Sequence, residues 1–218
     1  MAEFMDGGPP CMVALDYLEQ NEVQPIRQCY PSGSVSLYVP ARTIRALFED
    51  KPLGLTVESL FLCPCRPCTR DGGSVELRSN YFNERMRRHE LRGEYALIYS
   101  LLIYVRRPGL IQVFQQYGLK LEGTKYLSDA DFDDLRHFEK IDDLGVAQRK
   151  ILDGQYSFLV RTLRPAPDIL FIPAKELLPI SEDAEPKGQG TFAEVRCFQF
   201  QDDEYRSRDF GPVRTSTD

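Results

Sequence analysis

Apolar residues recur mostly at helical spacing in the first three quarters of the chain and alternate only in short stretches. Val13, Leu15, Tyr17 and Leu18 mark an amphipathic helix over Cys11–Gln20. Ser34–Val39 alternates polar and apolar residues, the period of a half-buried strand, and Pro40 ends it. Ile44, Leu47 and Phe48 place a helix over Thr43–Asp50, and a short one follows over Thr56–Leu62. A long helix is expected from about Asn80 to Val105, basic in its first half and apolar on every side in its second, with Gly93 weakening the middle. Pro108 suits the start of the next helix and Gly118 its end, with Leu110, Val113, Phe114 and Tyr117 as the buried stripe.

Further along, Ser128-Asp-Ala-Asp131 has the form of a capping box and opens a helix that carries Phe132, Leu135 and Phe138. Another helix is expected over Asp143–Leu152, and Tyr156–Leu163 fits either a helix or a strand. Pro165-Ala-Pro167 punctuates the chain, Ile169–Ile172 has the composition of a buried strand, and Ser181–Pro186 is an acidic connector. The pattern predicts a frayed N-terminus over 1–10, a mostly α domain with a minor β-strand over 11–165, a linker over 166–187 and a final segment over 188–218.

Composition narrows the function classes. The 218 residues are 42% hydrophobic and 28% charged, the balance of a globular chain. A net charge of −6 argues against a general nucleic-acid binder and against adsorption to anionic membranes. The apolar run Tyr95–Val105 is about half the ~20 residues that span a bilayer, and Arg106-Arg107-Pro108 stop it. The N-terminus has no apolar core of the secretory type. These features predict an intracellular chain, cytoplasmic or nuclear, with reduced thiols and no membrane partner.

Cys63-Pro-Cys65-Arg-Pro-Cys68 is the first constellation with chemistry in it. Three thiolates within six residues can reach one soft cation, and Zn²⁺ takes four ligands in a tetrahedron. The fourth would come from elsewhere: Cys29 and His89 are the candidates, with Cys11 a weaker third. The alternative is three reduced cysteines in a turn-rich loop. Asp129, Asp131 and Asp133 have a calcium-loop spacing, but Asp134 stands where the sharp-turn glycine belongs and Lys140 at the twelfth position. A solvated helix start accounts for them. His89 and His137 sit among charges on predicted helices, and no Gly-x-Ser-x-Gly or His-Glu-x-x-His run accompanies them.

Gly188-Gln-Gly190-Thr191-Phe192-Ala193-Glu-Val195 is the second constellation. Two glycines at this spacing let backbone N–H groups close over phosphates, and Glu194–Phe200 supplies an outgoing strand. The segment resembles the glycine-rich loop of eukaryotic-type protein kinases, with Ala193 at the third glycine. The order of parts, a Cys-x-Cys-x-x-Cys loop, a helix with an apolar second half and Leu177-Leu-Pro-Ile180 before the loop, resembles the N-terminal region of fungal protein-kinase-like proteins. The resemblance implies an α-rich accessory domain followed by the β-hairpin-like start of an α+β kinase N-lobe. It implies ATP with Mg²⁺ at Gly188, Gly190, Thr191, Phe192, Ala193 and Val195, and phosphoryl transfer to a protein hydroxyl.

Three departures limit it. Lys187 stands where kinases carry an aliphatic residue, and no Val-Ala-x-Lys segment or His-Arg-Asp loop follows. Asp209-Phe210-Gly211 lies only about 20 residues past the loop, too early for the metal-binding triplet. On these grounds the segment is expected to be only the first two strands of a lobe, and the 218 residues to lack phosphotransferase activity. The alternative from another class is a non-catalytic helical module, zinc-stapled, that binds a protein partner.

Overall fold

The computed structural model describes residues 8–22, 37–49, 54–84, 88–121, 125–133, 135, 143–159, 186–189 and 194–196. Nine α-helices are present among them: α1 Pro10–Gln20, α2 Ala41–Phe48, α3 Val57–Phe61, α4 Arg66–Gly72, α5 Val75–Glu84, α6 Arg88–Arg92, α7 Ala96–Tyr104, α8 Ile111–Gln116 and α9 Leu144–Gly154. The mostly helical expectation holds for them.

Helix α7 is the centre of the packing. Its residues Ile98, Tyr99, Leu101, Leu102 and Ile103 are all buried, as an apolar helix without a polar face must be. It packs against α1, α2, α8 and α9. Leu15 and Leu18 from α1, Ile44 and Leu47 from α2, and Phe114 from α8 join it in one continuous core. Phe48 meets Tyr99 at 5.9 Å between ring centroids, and Phe114 meets Phe132 edge-on at 5.9 Å.

The long helix expected over 80–105 is instead three helices. Gly93-Glu94-Tyr95 forms a turn between α6 and α7, closed by hydrogen bonds from Gly93 N to His89 O (2.9 Å) and from Tyr95 N to Glu90 O (3.0 Å). The glycine that weakens the helical pattern is the site of the break, because it offers no side chain to hold the helical register. The expected strand over Ser34–Val39 is described only at its end. Residues 34–36 lie outside the described part, and Tyr38 makes only an isolated bridge. The N–H of Val39 donates to Ser157 O (2.8 Å), so this backbone is satisfied by a turn rather than by a sheet.

Helix ends follow the local signals closely. Thr56 caps α3 in a reciprocal pair with Ser59 (3.0 and 2.9 Å). Helix α8 ends at Gly118, whose φ of 65° allows the Leu119 N–H to reach back to Phe114 O (2.8 Å). Helix α7 ends the same way, with Arg107 N donating to Leu102 O (2.7 Å), but there the left-handed residue is Arg106 (φ 61°). A non-glycine residue in that conformation carries a cost of about 1–2 kcal/mol. The reversal aims Arg107 inward, where it meets Asp71.

Near the C-terminal end, β1 Pro186–Gln189 pairs antiparallel with β2 Glu194–Arg196. Gly188 faces Val195 and Gln189 faces Glu194, with a shift of register between Pro186 and Gly188. The expected strand over 169–172 and the connector over 181–185 lie outside the described residues.

Candidate metal centre

The six residues that carry Cys63, Cys65 and Cys68 are not a plain loop. Cys63 and Pro64 leave α3, Cys65 stands at the N-terminal boundary of α4, and Cys68 sits within its first turn. The N–H groups of Cys68 and Thr69 both donate to Cys65 O (3.1 and 3.0 Å). Proline at position 67 suits the first turn of a helix, where its missing N–H has no partner to lose. Gly73 (φ 77°) ends α4 after seven residues. Apolar periodicity does not reveal this helix, because Arg66-Pro-Cys-Thr-Arg-Asp-Gly72 has no apolar stripe.

The fourth cysteine is Cys11, in the first turn of α1. The Sγ atoms of Cys11, Cys63, Cys65 and Cys68 all lie within 4.8 Å of one another. Cys11 Sγ is 3.1 Å from Cys65 Sγ and 3.5 Å from Cys63 Sγ. None of the four is in a disulfide. A tetrahedral zinc with Zn–S of about 2.3 Å requires sulfur–sulfur edges of about 3.8 Å. The four sulfurs therefore already have the spread of such a site, and the group can hold a metal ion. Cys63 and Cys68 are buried to 0% and 1% exposure, Cys11 is buried, and Cys65 is half-buried at the rim.

The proposed ligand set is corrected on one point. His89 is exposed on α6 and is not a member of the cluster, and Cys29 lies outside the described residues. The weaker third candidate, Cys11, completes the group because α1 packs against α3 and delivers its first turn to the α3–α4 corner.

Protonation within the cluster is shared. Hydrogen bonds from Cys11 and then Cys68 push the Cys63 thiol down to about 2. Cys11 is raised chiefly through its hydrogen bond to Cys63, and Cys68 through its bonds to Cys11 and Cys63. One sulfur can thus carry the charge while its neighbours serve as donors. A divalent cation replaces those protons and lets every sulfur ionise. Nearby Tyr99 is held well above the usual tyrosine range, first by burial and then by the charge of Cys68, Cys63 and Cys11.

Two contacts brace the corner. Asp71, fully buried at its carboxylate, accepts from Arg107 Nε and Nη2, both at 2.7 Å. This bidentate pair ties α4 to the turn after α7. Beneath it, Gly109 lies flush against α4: a Cβ there would stand 2.4 Å from Cys68 O and 2.6 Å from Gly72 N. Only glycine permits that approach, so the backbone of a cluster cysteine rests directly on the 108–110 turn.

The glycine-rich segment is described at its two flanks alone. Gly188 and Val195 face one another across β1 and β2, whereas Gly190, Thr191, Phe192 and Ala193 lie outside the described residues. His137 and the outgoing strand beyond Arg196 lie outside them too. Asp129 and Asp131 belong to a short 3₁₀ turn opened by Ser128. Asp131 accepts from Ser128 N (2.8 Å) and Oγ (2.7 Å), the expected capping box, and Asp129 accepts from Gln148 (2.6 Å); the element the box opens among the described residues is this 3₁₀ turn rather than the α-helix expected.

The described residues thus define a helical unit with a four-cysteine cluster at one corner. No protein-family model, curated protein or solved structure matches the chain. No helix among the described residues is long and apolar enough to cross a membrane.

Proposed function

We propose that Cys11, Cys63, Cys65 and Cys68 hold a structural zinc ion that staples a non-catalytic, helical protein-interaction module. The observation that carries this reading is the convergence of four sulfurs from α1 and the α3–α4 corner within 4.8 Å. Four protein ligands fill a tetrahedron and leave no position for water or substrate, the arrangement of structural rather than catalytic zinc. The ion joins segments 52 to 57 residues apart in sequence, so it closes a long loop in the same manner as a disulfide would. The rigid surface it maintains is the part that a protein partner meets. The test is metal content after purification without chelator. Close to one zinc per chain is expected, and a stoichiometry near zero overturns the reading.

A second reading concerns the C-terminal segment. The antiparallel pairing of Gly188 with Val195 is the backbone form that a glycine-rich phosphate loop takes, and it favours the kinase-like resemblance of residues 188–195. On this reading the helical unit is the accessory domain of a protein-kinase-like polypeptide, and the loop contributes to binding ATP with Mg²⁺. Coding sequence beyond residue 218 that specifies an Ala-x-Lys strand and a His-Arg-Asp loop supports it. Coding sequence with neither, in any frame, overturns it.

A further inference from the structure

Helix α5 carries a charge that the packing does not neutralise. Arg78 is 2% exposed and is among the largest fully buried side chains. Its stem passes close to Gly72, where an added Cβ would stand 2.8 Å from Arg78 Cδ. The guanidinium ends between two backbone carbonyls: Nη1 donates to Phe61 O (2.6 Å) and Nη2 to Cys63 O (2.7 Å). Nε has no partner among the described residues. No ion pair to Arg78 is found among them either, although the neighbouring buried cation, Arg107, has its carboxylate in Asp71.

A guanidinium does not discharge when buried, because it cannot be deprotonated in a protein. Two neutral carbonyls satisfy its hydrogen bonds but leave its charge uncompensated, and an unpaired buried charge is strongly unfavourable. The anion it calls for would include Cys63, one of the two residues whose carbonyls accept from it. Four thiolates around a divalent cation form a dianion, which is itself costly to bury. Arg78 is hydrogen-bonded to the main chain of one of those four residues, Cys63, and through Phe61 to the end of α3 that leads into it.

From this we infer that Arg78 is the counter-charge of the metal centre, a positioning residue whose buried cation favours the metal-loaded form of the four-cysteine cluster. The inference rests on the zinc reading above and adds a residue to it that binds no metal. It also accounts for why a cation is placed where an apolar side chain would fill the space without an electrostatic cost. With metal bound, the cation and the dianion each reduce the other's burial cost. Without metal, the contacts that meet its charge among the described residues are the neutral carbonyls of Phe61 and Cys63.

The experiment is titration of the full 218-residue chain with Co²⁺ and then displacement by Zn²⁺, for wild type and for Arg78→Lys, Arg78→Gln and Arg78→Met. Wild type is expected to take up one Co²⁺ with the visible absorption of a tetrathiolate. Arg78→Met and Arg78→Gln are expected to keep the shape of that spectrum, because all four ligands remain, while affinity falls about 10- to 100-fold. Arg78→Lys keeps the charge with fewer hydrogen bonds and is expected to recover most of the affinity. Should Arg78→Met fail to fold, the contrast of Lys with Gln carries the same comparison. Equal affinity in all four proteins overturns the inference and leaves the zinc site standing. An equal loss in Lys, Gln and Met assigns Arg78 to holding the two carbonyls and likewise overturns it. A wild-type chain that takes up no Co²⁺ overturns the zinc reading, and this inference with it.

Discussion

Two corners of the helical unit hold irregular backbone in place with buried polar side chains, and they use opposite chemistry. At the corner of Leu127 one neutral side chain is enough. Gln155, 1% exposed, accepts from Leu127 N (2.7 Å) and donates to Leu127 O (3.0 Å) and Leu152 O (3.1 Å), so its amide takes the place of a neighbouring strand. At the cysteine corner the groups are three buried thiols and the half-buried Cys65, with Arg78, Asp71 and Arg107. A neutral amide is satisfied by hydrogen bonds under all conditions. On the zinc reading, the charged corner is satisfied only when its charges balance, which would make its stability conditional on a metal ion. On that reading the amide corner is a permanent joint, and the cysteine corner is one that depends on what is bound.

The largest effect should come from removing a ligand. Cys68→Ser is expected to abolish tetrathiolate Co²⁺ absorption and to remove the stabilisation that added Zn²⁺ gives the wild type, measured as the shift in thermal midpoint. Apparent binding free energies of structural zinc sites are about 10–16 kcal/mol, so the loss should exceed that of any single substitution elsewhere in the unit. A wild type whose midpoint does not move with Zn²⁺ would erase the contrast between the corners.

Asp71→Ala ranks next. It leaves Arg107 buried without its carboxylate, at a cost of about 3–5 kcal/mol by urea denaturation. Replacing both partners by apolar residues of similar volume should recover most of that loss. A double variant as unstable as Asp71→Ala would show that the pair does more than neutralise itself.

Gln155→Leu sharpens the comparison from the other side. It strips the Leu127 N–H and C=O of their partner and should cost about 1–3 kcal/mol for each group left unmatched. The same loss is expected with Zn²⁺ and with chelator, because the Gln155 amide and the Leu127 main chain it satisfies are neutral. A metal-dependent loss would mean that the two corners are coupled through α7 and α9.

The smallest effect is electrostatic and lies at the surface. Hydrogen bonds from Ser128, main chain first and hydroxyl second, hold the Asp131 carboxyl below the ordinary aspartate range. A depressed folded-state pKa contributes stability above the unfolded value of about 3.9, and the contribution disappears as pH falls through the folded value. Asp131→Asn should therefore be slightly less stable than wild type at neutral pH and equal to it in strong acid. A difference that persists in acid would assign Asp131 a role other than its charge.

Much of the helical framework is visible in the residue pattern, and the exceptions have identifiable causes. The apolar spacing of Val13–Leu18 and Ile44–Phe48 locates α1 and α2, and Pro108 with Gly118 brackets the 3₁₀ turn and α8. Helix α4 escapes because its seven residues include no apolar stripe and its stability comes from Asp71, Gly72 and Gly109 in the tertiary structure. The break at Gly93 is legible as a weakness and becomes a joint because α6 packs on α3 whereas α7 packs on α1 and α2. Three of the four cluster cysteines announce themselves by spacing. Cys11 does not, since one cysteine beside two prolines carries no periodic signal.

Local chemistry in the chain by itself determined that a Cys-x-Cys-x-x-Cys turn exists, that helices dominate and that a Gly-x-Gly segment ends in an alternating run. These are properties of neighbours, governed by dihedral preference and by the period of apolar residues. Only the tertiary structure decided that Cys11 rather than His89 meets Cys63, Cys65 and Cys68, and that Arg78 lies buried beside them. Both depend on the docking of α1 and α5 against the α3–α4 corner. That arrangement is set by packing between segments more than fifty and about fifteen residues apart, where no local pattern reaches.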